Sequence, residues 1–167
     1  MCLALPKLKT NPSEALFRQV PAGCGPVRVI VSSDGKVVWM TARESNHLLA
    51  FNATRLQSKH GDEYEDALIA SVQVGTSPVG MAFVKNETRI LTADSNRFGT
   101  SNTNNATSSV SVVDVQAALS GVGEAVLGRV PAGLFPREVA VSPDGDTVLI
   151  ADYSSQQIQA IDVRTLP

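Results

Sequence analysis

The chain has 167 residues, 43% of them hydrophobic and 18% charged: enough apolar material for a packed domain and too little charge for a disordered chain. A formal net charge of −2 argues against nucleic acid or an anionic membrane as a general partner. No apolar run approaches the roughly 20 residues that a membrane-spanning helix needs.

The start, MCLALPKLKTNP, is broken by Pro6 too early for a signal peptide, and residues 1–14 read as an N-terminal tail. An apolar run, ALFRQV (15–20), follows. A pattern then recurs three times: VPAGCGPVRVIVSSDGKVVWMTARESNHLLAFN (20–52), VGTSPVGMAFVKNETRILTADSN (74–96) resuming at SSVSVVDV (108–115), and VPAGLFPREVAVSPDGDTVLIADYSSQQIQAIDV (130–163). Each copy reads Val, a Gly-containing loop, Pro, an apolar strand, a turn, a second strand, a polar turn and a third strand. Pro26, Pro78 and Pro136 set intervals of 52 and 58 residues. Such a unit cannot bury its apolar faces alone, so the copies must stack.

Local chemistry predicts the strands. VRVIV, GMAFV and REVAV are short β-branched runs, and SSDG and SPDG are tight-turn sequences in which Gly supplies positive φ. KVVWMTA, RILTAD and TVLIAD come next, then HLLAF, SVSVVDV and QIQAIDV. A fourth apolar run precedes each proline: ALFRQV, ALIASVQV (67–74) and EAVLGRV (124–130). Four hairpin-linked strands per repeat make a propeller blade. The prediction is all-β: three four-stranded antiparallel blades, an incomplete propeller, in one domain over 15–167 with repeats about 20–73, 74–129 and 130–167. Only QAALSG (116–121) reads as a helical turn. The extra residues 97–108 of copy two, RFGTSNTNNATS, read as a mobile surface loop overhanging the channel mouth.

The third copy carries Pro136, Ser142, Pro143, Asp144, Gly145, Ala151, Asp152 and Asp162 at set spacing. This run resembles the YVTN-type β-propeller repeat of the lactonase-like seven-bladed propeller family. Copy one departs at Ser33 and Asn52, and copy two at Lys85-Asn86-Glu87. The resemblance spans roughly 20–163 and implies the propeller fold. For activity it implies either a binding module or a lactonase-like hydrolase or isomerase acting on a sugar-acid or other lactone. Twelve strands make three blades, fewer than the usual 4–8, and the order is offset, with 15–20 as an outer strand awaiting a blade. Three readings stay open: a piece of a longer protein, a homo-oligomer completing the ring, and a free-standing open array. Open blade edges predict self-association.

The sequons Asn52, Asn86 and Asn105 fit an extracellular setting, as does the resemblance; a cytoplasmic setting is the alternative. Cys2 and Cys24 permit one disulfide without demanding it. No metal or cofactor is expected, because His/Cys metal spacing and Gly-rich phosphate loops are missing from the sequence.

Chemistry is expected on the face holding the turns between strands two and three and the entries to the first strands. There ARESNH (42–47) supplies Arg43, Glu44, Asn46 and His47. Histidine is the side chain best suited to general acid–base work, and Glu44 or Arg43 could tune it, so His47, Glu44 and Arg43 are the catalytic candidates; a plain polar turn is the competing reading. The candidates for ligand binding are Arg28, Asn46, Asp94, Asn96, Arg97, Arg137, Glu138, Asp152 and Tyr153. Asp94 and Asp152 hold equivalent repeat positions, which also suits carboxylates accepting backbone N–H bonds. Trp39 reads as core, His60 as a solvated connector. The partner is a small molecule or a protein.

Overall fold

Alternating apolar residues between turn signals build thirteen strands in the computed structural model, which describes residues 2–3, 5–57, 67–97 and 108–167. After β1 (Cys2–Leu3), the helix α1 (Leu5–Thr10) and a short 3-10 turn comes β2 (Leu16–Arg18). The first blade is β3 (Pro26–Val31), β4 (Val37–Ala42), β5 (His47–Asn52) and β6 (Leu68–Gln73), paired antiparallel in chain order. The second is β7 (Pro78–Val84), β8 (Arg89–Asp94), β9 (Ser109–Asp114) and β10 (Val126–Pro131). The third is β11 (Pro136–Val141), β12 (Thr147–Asp152) and β13 (Gln157–Asp162).

Two predictions need correction. The third sheet has three strands, not four; β2, within the run 15–20, lies outside the blades as expected and pairs with β1 in a separate two-stranded sheet. Helix also forms beyond QAALSG, at α1 and at α2 (Ala53–Gln57), while α3 (Val115–Ser120) is the expected one. The closing Asn or Asp of each repeat explains α2, α3 and a final 3-10 turn (Val163–Thr165). Asn52 Oδ1 accepts from Arg55 N at 3.0 Å, Asp114 Oδ1 from Ala117 N at 2.8 Å and Asp162 Oδ1 from Arg164 N at 3.0 Å. In each copy the third strand thus runs into a capped helical turn. The predicted loop falls mostly at 98–107, outside the described residues, as do His60 and Asn105. Cys24 is an exposed free thiol.

Each proline opens an inner strand, where the missing N–H costs no ladder bond, and a register shift follows it in all three copies. The residue before it takes positive φ in every copy: Gly25 at 65°, Ser77 at 53°, Phe135 at 56°. The SSDG and SPDG turns are alike. Ser32 Oγ donates to Asp34 Oδ1 at 2.7 Å, Lys36 N donates to the same oxygen at 3.0 Å, and Asp144 repeats this with Ser142 and Asp146. In copy two Lys85, Asn86 and Glu87 all adopt positive φ. That strained turn carries Glu87 to the first blade, where its carboxylate accepts from Ser33 N and Ser33 Oγ, each at 3.0 Å.

The sheets stack face to face. Trp39, Leu48 and Ala50 of the first blade bury against Met81, Ile90 and Val113 of the second. Leu91, Val110 and Val112 of the second bury against Val148, Ile150 and Ile161 of the third. A third cluster, Ala42, Leu49, Phe51, Leu56 and Ala67, lies on the outward side of the first blade, with Val20 and Ala22 packed on it. Trp39 is the largest fully buried side chain. Trp39→Ala is expected to cost about 3–5 kcal/mol in urea unfolding, from lost burial plus the cavity left between the two blades. Val122→Ala, at an exposed loop position, is expected to stay within about 0.5 kcal/mol.

Candidate functional site

The strand ends that carry Pro26, Ala42 and His47 lie together in the register of the first blade, and the equivalent ends of the other two blades repeat this. Every candidate therefore sits on one rim, next to the inner strands. The structure sorts most of them into three groups and sets Asp94, Asp152 and Asn96 apart.

The first spans the inner strands. Arg28 Nη2 donates to Glu138 Oε2 at 2.6 Å, joining the first blade to the third. The equivalent position in the second blade is Gly80, so no side chain stands between them. A Cβ at Gly80 would come 2.6 Å from the Arg137 carbonyl oxygen, so the third blade packs directly on this backbone. Both partners are partly exposed, so the pair contributes little stability and serves mainly to place its charges. The Arg28 backbone N–H is held by Thr41 Oγ1 at 3.1 Å, and that hydroxyl donates to the Val79 carbonyl at 3.2 Å.

The second group joins blades two and three. The Arg97 guanidinium lies 5.3 Å from the centre of the Phe135 ring, and the Arg137 guanidinium 5.9 Å from the Tyr153 ring. The two rings meet edge to face at 5.5 Å. Tyr153 and the neighbouring Leu134 are exposed. Sequence reading found three of the four and missed Phe135. The available signal was Leu134-Phe135 standing where the other copies have Cys24-Gly25 and Thr76-Ser77 ahead of the proline. Phe135 holds positive φ there, a strained state for a bulky residue.

The third group is the ARESNH turn. Arg43 Nη2 donates to Glu44 Oε1 at 3.3 Å. His47 Nδ1 lies 2.6 Å from the Ser45 carbonyl. A carbonyl only accepts, so Nδ1 carries the proton, and a neutral ring then has its lone pair on Nε2. The three catalytic candidates share a turn without forming one network: Glu44 faces Arg43, and His47 holds the backbone. Asn46 works between blades, its Oδ1 accepting from Ser77 N at 2.8 Å.

Asp94 and Asp152 face inward instead. Asp94 is buried and accepts from Thr92 Oγ1 at 2.9 Å, Ser109 Oγ at 2.9 Å and Ser111 Oγ at 2.6 Å. Ser111 Oγ also receives Gly75 N at 3.2 Å, and a Cβ at Gly75 would sit 2.3 Å from the Asp94 carboxylate. Asp152 is buried too and accepts Gly133 N at 3.2 Å. Its other oxygen, Oδ1, has no hydrogen-bond partner. The equivalents of Thr92, Ser109 and Ser111 are Ile150, Gln157 and Gln159, so the third blade keeps the Asp without its hydroxyl donors. Asn96 takes positive φ, and its N–H closes the loop onto the Thr76 carbonyl at 3.0 Å. Of the described sequons, Asn86 is exposed and Asn52 spends its side-chain oxygen on α2. Among the described residues no group of three His, Cys, Asp or Glu could hold a metal ion, and no helix is long and apolar enough to cross a membrane.

A family model described as Lactonase, 7-bladed beta-propeller matches residues 6–165. No curated protein sequence matches. Among solved structures, hydrazine synthase of Kuenenia stuttgartiensis is similar with TM-score 0.65 at 19% identity, over 88% of this chain and 35% of that one. A provisionally assigned 6-phosphogluconolactonase of Bacteroides fragilis has TM-score 0.64 at 18% identity, over 87% and 36%. A periplasmic gluconolactonase of Pseudomonas aeruginosa has TM-score 0.60 at 20% identity, over 85% and 36%. Likeness at this identity speaks to the fold, and the chain spans about a third of the length of each of these structures.

Burial pushes the Asp94 carboxyl above its ordinary value of 3.8, against the lowering effect of its three hydroxyl donors and of Arg129. The folded chain then holds this proton more tightly than the unfolded chain. Asp94 therefore contributes stability below the ordinary carboxylate pKa, and loses it as pH rises through the native value. The advantage of the native chain over Asp94→Asn in urea unfolding is expected to be larger near about pH 4 than near about pH 7. A difference that stays constant between those pH values would contradict the assignment.

Proposed function

We propose that this chain, which belongs to the lactonase family of seven-bladed β-propellers, is a propeller module that binds a small anionic sugar derivative on its rim. The observation that carries the reading is the cluster of Arg97, Phe135, Tyr153 and Arg137: two touching rings of the third blade, one under the guanidinium of Arg97 from the second blade and the other under that of Arg137 from the third. Ring faces suit the apolar face of a sugar, and a planar guanidinium fork suits a carboxylate or phosphate. Rim loops on a stacked scaffold are where such sites are built. Two of the similar structures are gluconolactonases by name, which supports a sugar acid as the ligand class.

The probe is 6-phosphogluconate, titrated calorimetrically into the chain. Arg137→Ala and Tyr153→Ala are each expected to weaken binding about tenfold or more, with unchanged melting temperature, since each removes an exposed contact to the ligand. No binding by the native chain, or equal affinity in both variants, overturns the reading.

A second reading is hydrolysis of a sugar lactone at the ARESNH turn, and the His47 hydrogen bond favours it. Nε2 would take a proton from water as its oxygen adds to the lactone carbonyl. The ring C–O bond then breaks, the leaving oxygen regains a proton, and a hydroxy acid results. Arg43 would face the developing oxyanion and Glu44 would hold Arg43. With glucono-δ-lactone, proton release above the spontaneous rate is expected to fall about a hundredfold in His47→Gln, with 6-phosphogluconate affinity unchanged. Release no faster than the spontaneous reaction removes this reading and leaves the binding module standing.

A further inference from the structure

Three buried serines, Ser77, Ser95 and Ser108, lie along the rim between the aromatic cluster and the ARESNH turn. They are joined in one run of hydrogen bonds. The Phe135 N–H donates to Ser108 Oγ at 3.4 Å, and the Ser108 hydroxyl donates to the Ser95 carbonyl at 3.3 Å. Ser95 donates in turn to the Ser77 carbonyl, from its N–H at 3.0 Å and from its hydroxyl at 2.7 Å. The Ser77 N–H ends the run on Asn46 Oδ1 at 2.8 Å. Every link donates toward the first blade, so each polarises the next. All of these residues lie at the two blade junctions inside the chain.

The repeat shows what the run is built from. Asn46 and Ser108 each stand directly before a third strand, β5 and β9. Each accepts at its carbonyl from the loop entering the next blade, Val74 N at 3.0 Å and Ala132 N at 3.2 Å. Each accepts at its side-chain oxygen from the residue before that blade's proline, Ser77 N and Phe135 N. What differs is the residue held. Phe135 is bulky and at positive φ, a state that persists only where neighbours fix it. Its N–H is fixed by the second blade through Ser108, and its carbonyl by the third through Tyr153 N at 3.0 Å. The N–H groups of Gly133 and Leu134 go to Asp152 Oδ2 and Ser155 Oγ. The loop is therefore bonded at every amide from Ala132 to Phe135, and the Ser108 bond to Phe135 is the longest of these. The connection between β8 and β9 supplies both the guanidinium on the Phe135 ring, from Arg97, and the hydroxyl on its backbone, from Ser108.

We propose that Ser108 is a positioning residue of the rim site. It holds the strained Phe135 backbone so that the ring meets Arg97 and Tyr153, and through Ser95 and Ser77 it refers that position to Asn46 of the first blade. Its effect on a ligand passes through Phe135. The ligand part of this proposal rests on the binding reading, whereas the part concerning the loop rests on the hydrogen bonds alone.

The experiment is residue-by-residue amide hydrogen exchange of the full chain by NMR, beside calorimetric titration with 6-phosphogluconate. Ser108→Ala is expected to speed exchange at the Phe135 N–H about tenfold and to weaken binding about tenfold, with exchange at Ile150 of the central strand β12 unchanged. Ser108→Thr keeps the hydroxyl and is expected to restore both. Asn46→Ala is expected to speed exchange at Phe135 as well, by less than Ser108→Ala does. Phe135 exchange that is unchanged in Ser108→Ala, that rises equally at Ile150, or that stays fast in Ser108→Thr overturns the positioning role. A response to Ser108→Ala without one to Asn46→Ala overturns the link to the first blade. Faster Phe135 exchange with undiminished affinity overturns the role of Ser108 in the ligand site. A native chain that does not bind 6-phosphogluconate overturns the binding reading instead, and the exchange rates then decide the loop assignment by themselves.

Discussion

Every element of this protein depends on one constraint: a blade is a sheet with two apolar faces, and it cannot bury either by itself. Trp39, Leu48 and Ala50 point to one side of the first blade while Met40, Leu49 and Phe51 point to the other. Burying a large apolar side chain is worth about 1.5–3 kcal/mol, so a blade left alone would forgo most of its stabilisation. Stacking solves the problem for interior faces and passes it on to the two end faces. The N-terminal segment through Val20 and Ala22 covers part of one end, near β4 and β5, but leaves the inner strand β3 open.

Stacking in turn dictates the polar chemistry between blades. The loop entering each inner strand must pass close to the end of the second strand. Gly75 and Gly133 are there because the Asp94 and Asp152 carboxylates occupy the space a Cβ would need. At the equivalent Gly23 the neighbour is Ala42, and a Cβ would still come within 2.9 Å of it. Close approach is thus common to all copies, whereas the carboxylate is present in two of them. Where hydroxyls surround it, as at Asp94, all of its oxygens are served. In the third blade an oxygen is left unserved, a cost that buried polar groups rarely carry.

The rim inherits its chemistry from what this bracing leaves over. Asn46 and Asp94 are consumed holding neighbouring loops, whereas Arg137 and Tyr153 remain on the surface. Gly80 has a further effect there: with no side chain at this position of the middle inner strand, Arg28 reaches the third blade and sets an ion pair across the inner surface. The ligand reading and the lactone reading therefore draw on different loops of one rim, the second and third blades for the aromatic cluster and the first blade for His47.

Much of this was legible in the residues. Spacing between Pro26, Pro78 and Pro136 and the alternation after each of them determined three sheets, their strand order and the rim on which candidates would gather, because strand period and turn chemistry are local properties. Trp39 was readable as core for the same reason. Tertiary structure alone decided the rest. Within the run 15–20 only Leu16–Arg18 forms a strand, and it pairs with Cys2–Leu3 outside the three blades, because no local signal reveals which edge a strand joins. Phe135 became part of the rim cluster only when the second and third blades stacked, since Arg97 lies 38 positions away in sequence. Asp94 and Asp152 look identical in the repeat, yet one is saturated and the other is not, because their partners come from strands paired across the sheet. Pairing and stacking are long-range, and they assign each polar group either to the scaffold or to the surface.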